Sequence, residues 1–238
     1  MPTFAEYFER TYVISLAERR DRQAEMDEQL QRIGLRLGAG NVALFSAIRP
    51  ADKGEFETPG ARGCFLSHLA VLEDAVKRSC ARVVVLEDDL NFARDFAARI
   101  DEVLRALARA PWSLFYGGHR IEGPKPGGLW PVPPTTEVAT SHFVAFQGAA
   151  IARAADTLRR LARRPAGHPQ GGAMHVDGAY NWYRRLHPSE LALAAVPELG
   201  YQRSSRTDVH RLGWADSTPL VKDTIAGLRR LRNRVLSR

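Results

Sequence analysis

Arg82-Val83-Val84-Val85-Leu86-Glu87-Asp88-Asp89 is an apolar run that ends in three consecutive acids. Three β-branched residues and a leucine in succession have the composition of a strand buried on both faces. Adjacent carboxylates repel one another, and a chain tolerates them where solvent or a cation neutralises the charge. In an open α/β sheet, the C-terminal edge of a strand is where ligands usually sit. Glu87 and Asp89 lie two apart, so continued strand geometry would point them to one side. Hard oxygen ligands with few nitrogen or sulfur neighbours suit Mg²⁺ or Mn²⁺, which keep several waters and accept phosphate oxygens. We therefore take Glu87, Asp88 and Asp89 as candidate metal ligands; a solvated acidic turn would look the same.

The surroundings of this run read as alternating strands and helices. Thr11 to Leu16 has a strand pattern, followed by a helix over Glu18 to Ile33 that stops at Gly34. Arg19, Arg20 and Arg22 fall between them, where a helix N-terminus adds its own positive end. Arg19 and Arg22 are therefore candidate phosphate ligands, and arginines that merely cover the helix surface are the alternative. Val42 to Ala47 is a second strand. From Gly63 onward, Phe65, Leu69, Leu72 and Val76 recur at helical spacing. Ser67 and His68 are then expected in the first turns of that helix, within reach of a ligand. A helical histidine beside an apolar stripe is also a common core residue.

Beyond the acidic run, Phe92 to Ala108 is periodic as a helix and Trp112 to Tyr116 as a strand. Gly123 to Pro134 is crowded with proline and glycine, which excludes a helix or a central strand and suggests a lid or binding loop. Val138 to Phe146 reads as a strand, Ala149 to Arg164 as a helix and Leu191 to Val196 as a last strand. Asp177 opens an aromatic-rich helix, where it would serve as an N-cap. Tyr180, Trp182 and Tyr183 behind it are candidates either for stacking on a sugar or for filling the core. The alternation predicts one α/β domain with a mainly parallel sheet flanked by helices.

With 238 residues, 45% hydrophobic and 26% charged, the chain is long enough for one sizeable core and short for two. It has no run of membrane-span length and no apolar leader, so a cytoplasmic protein is expected. Cys64 and Cys80 lack metal-ligand spacing, so we expect reduced thiols. The net charge is +7, of which Lys222 to Arg238 carries +5. Despite a pI near 9.8, the body is nearly balanced, which argues against a nucleic-acid binder. In the tail, Val221, Ile225, Leu228, Leu231 and Val235 form an apolar stripe with basic residues around it. Such a helix suits the anionic face of a membrane, and packing on the body is its alternative.

In order along the chain stand Val13-Ile14-Ser15-Leu16 with Arg19 and Arg22, Gly63-Cys64-x-x-Ser67-His68, and Leu86-Glu87-Asp88-Asp89. Leu114-Phe115-Tyr116-x-Gly118, Val176-Asp177, and Gln202 with Thr207-Asp208-Val209 follow. This ordered set resembles glycosyltransferase family 25, bacterial enzymes of lipooligosaccharide synthesis whose relatives include collagen galactosyltransferases. Ser15-Leu16 replaces the family's usual Asn-Leu, and Ala61 stands where an acid commonly precedes Gly-Cys.

The resemblance implies a GT-A-like (Rossmann-like) domain, taken as 1–217, with 218–238 as the basic helix. It also implies a nucleotide-sugar donor, usually UDP-galactose, and inversion at the anomeric carbon. The acceptor would be a glycan or a lipid-linked glycan, and the tail would hold the enzyme peripherally on the inner face of the membrane. Ser67, His68, Gln202 and Asp208 then join Arg19 and Arg22 as substrate-binding residues. Inversion needs a base opposite the leaving diphosphate. Asp177 is the first candidate for it; Asp208 and His210 compete. A noncatalytic nucleotide-sugar-binding protein of the same fold, or a nucleotidyltransferase, would use the same carboxylates.

Overall fold

The computed structural model describes residues 2–123 and 125–203. Thr207, Asp208, His210 and the helix expected over 218–238 lie outside the described residues.

After a one-turn helix α1 (Phe4–Tyr7), the chain runs β1 (Arg10–Ser15), α2 (Arg20–Gln31), β2 (Val42–Ser46), α3 (Pro59–Lys77) and β3 (Arg82–Glu87). There follow β4 (Leu90–Phe92), α4 (Phe96–Arg109), β5 (Trp112–Arg120), β6 (Gly128–Pro131) and β7 (Ala139–Gln147). The described residues end with α5 (Ala149–Ala162), α6 (Val176–Leu186), β8 (Leu191–Val196) and β9 (Gly200–Gln202). Among the described residues, seven strands form one sheet in the order β2-β1-β3-β7-β5-β8-β6, and β4 with β9 makes a separate antiparallel ribbon. Strands β1, β2, β3, β5 and β8 run one way; β7 and β6 run the other.

Strand β3 is buried on both faces, as its composition requires. Val83 and Val85 pack with Phe65, Leu72, Leu158 and Tyr180 in the layer of α3, α5 and α6. Val84 and Leu86 pack with Met26, Leu30, Leu104 and Phe143 in the layer of α2 and α4. The alternation of the pleat thus splits four consecutive apolar residues between two cores.

Four local expectations need correction. Helix α3 begins four residues earlier than Gly63: Thr58 Oγ1 accepts from the Ala61 amide at 3.0 Å, and Pro59 takes the first helical position. Ser67 and His68 are therefore in its third turn, fully buried. The helix expected from Phe92 starts at Phe96, because Leu90 to Phe92 pair with Gly200 to Gln202 instead. The lid expected over 123–134 needs correction, because Gly128–Pro131 is an edge strand on β8 and, among the described residues, none of the stretch lines the acidic pocket. An edge position accommodates Pro131, which has no N–H to give. Tyr180 and Tyr183 are core residues, 0% and 1% exposed, so they cannot stack on a sugar.

Candidate active site

The C-terminal ends of β1 and β3, the loop after β2, and the N-termini of α3 and α6 enclose a cavity of about 670 Å³. Its acidic wall is Glu87, Asp88, Asp89 and Asp177; Arg19, Arg22, Arg49, Lys53 and Arg203 supply positive charge around it. Strand geometry stops at Glu87, and Asp88-Asp89 form the turn into β4. The three carboxylates consequently fan out toward different partners instead of alternating sides.

Glu87 turns toward the α3 layer. Its Oε1 accepts from Ser141 Oγ at 2.9 Å and lies 3.4 Å from His68 Nε2. Burial opposes its ionisation, but His68, His142 and Ser141 outweigh that and hold its carboxyl below the usual value.

Asp88 is pinned in place: Oδ2 accepts from Ser15 Oγ at 2.6 Å, and Oδ1 from Arg22 Nη1 at 2.9 Å. Arg203 Nη2 also donates to its carbonyl oxygen. The pairing of Arg22 with Asp88 is buried at both ends, so each charge is compensated where water is largely excluded.

Asp89 is the group under most tension. Gln202 Nε2 donates to Oδ2 at 3.0 Å and Arg22 Nη1 stands 3.7 Å away, while Oδ1 is buried without a hydrogen-bond partner among the described residues. Burial and the neighbouring Glu87 charge push its carboxyl up to about 7, against the pull of Arg22 and Gln202. A buried carboxylate oxygen without a partner, in a cluster with excess negative charge, is what a bound cation would satisfy.

The remaining expected residues divide. Asp177 lines the cavity at the second position of α6, with Oδ2 accepting from the Thr140 amide at 3.0 Å and Oδ1 from the Gly178 amide at 2.7 Å. It is not the cap: His175 is, without a side-chain capping bond. Arg19 borders the cavity and pairs with Asp21 through two nitrogens, at 3.0 and 2.8 Å. Ser67 does not reach the cavity. It donates to the Gly63 carbonyl at 2.7 Å and accepts from the Ile48 amide at 2.8 Å, tying α3 to the loop after β2. His68 is fully buried behind Glu87, 3.4 Å from that carboxylate, and does not line the cavity. Gln202 touches Asp89 directly.

Sequence inspection missed Arg49, Lys53, Glu57, Cys64, Ser141, His175 and Arg203. Arg49 follows the end of β2 as Arg19 follows β1, which was the one legible signal. His175 pairs with Glu57 at 3.1 Å across the cavity mouth, a contact between residues 118 apart that no local pattern records.

A family model described as Glycosyltransferase family 25 (LPS biosynthesis protein) matches residues 8–120, just under half of the chain. Those residues are similar to glycosyltransferase family 25. They include the acidic triplet, Arg19, Arg22, Ser67 and His68, whereas Ser141, Asp177 and Gln202 lie beyond the match. The chain is 32% identical over 136 residues to a probable inactive glycosyltransferase 25 family member 3 of Bos taurus, covering 50% of this chain and 23% of that one. It is 27% identical over 131 residues to procollagen galactosyltransferase 2 of Mus musculus, covering 48% and 21%. The chain thus spans under a quarter of the length of these relatives. A crystal structure of a glycosyltransferase involved in the glycosylation of the major capsid of PBCV-1 aligns over 83% of this chain and 96% of its own. The TM-score is 0.49 and the identity 10%. The matched segment runs from β1 through β5 of the mixed, mainly parallel sheet. Among the described residues, no helix is long and apolar enough to cross a membrane.

Proposed function

We propose that this chain is a divalent-metal-dependent, inverting glycosyltransferase that moves galactose from UDP-galactose to a hydroxyl of a cell-surface glycan. The observation that carries the proposal is the half-buried Glu87 beside the buried Asp89, whose Oδ1 has no hydrogen-bond partner among the described residues, on the wall of a cavity that also holds Asp177 and several cationic side chains.

Asp89 and Glu87 would hold a Mn²⁺ or Mg²⁺ ion. Asp88, with both oxygens already engaged, contributes negative field and anchors Arg22. Bound there, such an ion would act as a Lewis acid that stabilises charge on the departing nucleoside diphosphate. Lys53 and Arg49 on the cavity rim, with Arg19, supply further positive charge for the diphosphate oxygens. Asp177 takes the proton of the acceptor hydroxyl, held in one orientation by two backbone amides. Asp208 and His210, outside the described residues, are the competing bases, and Asp208 is a further donor contact. The tail from 218 to 238 holds the enzyme against an anionic membrane surface beside a lipid-linked acceptor of lipopolysaccharide synthesis. The whole would then work in the cytoplasm.

A panel of nucleotide sugars, scored by thermal shift and by product release with and without Mn²⁺, tests the proposal. UDP-galactose should raise the melting temperature only with the ion present, and UDP should be released once an acceptor is added. Release of pyrophosphate would make the chain a nucleotidyltransferase. Binding without release on any acceptor would make it a noncatalytic donor-binding protein.

A further inference from the structure

A cluster of different chemistry lies directly behind the acidic wall. Cys64 and His68 are one turn apart on α3, and both face Glu87 at the end of β3. The Cys64 Sγ, a His68 ring nitrogen and a Glu87 carboxylate oxygen all lie within 4.8 Å of one another. His68 is fully buried and its Nδ1 is 2.9 Å from Tyr180 Oη, which fixes the ring. Its Nε2 has no hydrogen-bond partner among the described residues, and Glu87 Oε1 at 3.4 Å is beyond good hydrogen-bond range. With Nδ1–H given to the tyrosine oxygen, the Nε2 lone pair points at the other two groups, the arrangement usual for a metal-bound histidine.

We propose that Cys64, His68 and Glu87 bind a zinc-class ion, with the fourth position open to the cavity. The three atoms are one sulfur, one nitrogen and one oxygen, a set that suits zinc and not magnesium. In a tetrahedral zinc site such atoms stand roughly 3.3–3.7 Å apart, given bonds of about 2.0–2.3 Å. Closing from 4.8 Å therefore needs about 1 Å of side-chain movement. Cys64 is partly exposed and lines the cavity, so an ion has a path in. The excess of carboxylates around it favours any cation. Glu87 is shared with the Mn²⁺ or Mg²⁺ position proposed above, so the two ions compete for one carboxylate.

The test uses the full chain, stripped of metal and without any nucleotide sugar, so that its outcome is separate from that of the transferase proposal. One equivalent of Co²⁺ should produce a thiolate-to-cobalt charge-transfer band, and Zn²⁺ should abolish it by displacement. Zn²⁺ should slow alkylation of Cys64 by iodoacetamide at least tenfold while leaving Cys80 unaffected; Mg²⁺ at the same concentration should protect neither. Cys64→Ser should lose the band and Cys80→Ser keep it, with His68→Gln weakening zinc binding by about tenfold or more. Cobalt binding without a thiolate band, a band that survives Cys64→Ser, or equal protection by Mg²⁺ would each overturn the assignment. Cys64 is partly exposed and serine is close to its shape, so that variant should fold even where His68→Gln does not.

Discussion

Asp89 is a buried carboxyl whose Oδ1 has no hydrogen-bond partner among the described residues. Its folded carboxyl titrates near 7, well above the ordinary range. A carboxyl raised in this way contributes stability below its unfolded value, near 4, and that contribution is lost as the pH climbs through 7. Asp89→Asn, which never ionises, should therefore stabilise the protein, by on the order of 2 kcal/mol at pH 8 and by less at pH 5. Urea unfolding at the two pH values measures this, and an equal gain at both would show that burial of charge is not the cause. The same variant should lose ion-dependent donor binding. Asp177→Asn separates a different role: turnover should fall by about 10²–10⁴-fold while donor affinity stays near wild type. Steady-state kinetics with a direct donor-binding measurement would check it. Weakened donor binding at unchanged turnover would move the base to Asp208 or His210.

At the scale of elements, α3 positions more of the site than any other helix. It carries Cys64 and His68 and, through Ser67, holds the loop after β2. Gly63 makes the close approach possible: a Cβ there would lie 2.4 Å from the Ile48 carbonyl oxygen and 3.1 Å from Pro50 Cδ. Gly63→Ala should push α3 off that loop and cost about 1–3 kcal/mol, as overpacking usually does. It should also loosen the bond of Ser67 to the Ile48 amide. A urea midpoint equal to wild type would mean the loop yields instead. A second tight contact, at Gly118, lets His142 and the Gly200 carbonyl pass close to β5, bringing β9 and Gln202 up to Asp89. The start of α3 was legible, since Thr58-Pro59 is a cap followed by a first-turn proline.

At the scale of the whole molecule, charge is the feature that composition alone cannot place. Five of the seven net positive charges fall in Lys222 to Arg238. If the tail lies on an anionic surface, each basic residue should contribute about 1 kcal/mol of attraction. Deleting 219–238 should then leave a folded chain that keeps activity on a soluble acceptor and no longer sediments with phosphatidylserine-containing vesicles at low salt. Loss of the fold on truncation, or full-length protein that ignores such vesicles, would sink the idea.

The amino-acid sequence by itself determined the α/β alternation, the doubly buried β3 and the acidic triplet at its end. Each is a local matter of period, β-branching or adjacency, and survives whatever the chain packs against. Tertiary structure alone decided that β7 is reversed between β3 and β5, because a strand buried on both faces has the same composition in either direction. It also decided that Arg22 answers Asp88, that Gln202 answers Asp89, and that His68 and Cys64 stand behind Glu87. Those pairings join residues 19 to 113 positions apart. They depend on burial and on which helix face meets the strand end, and no window of neighbouring residues contains that information.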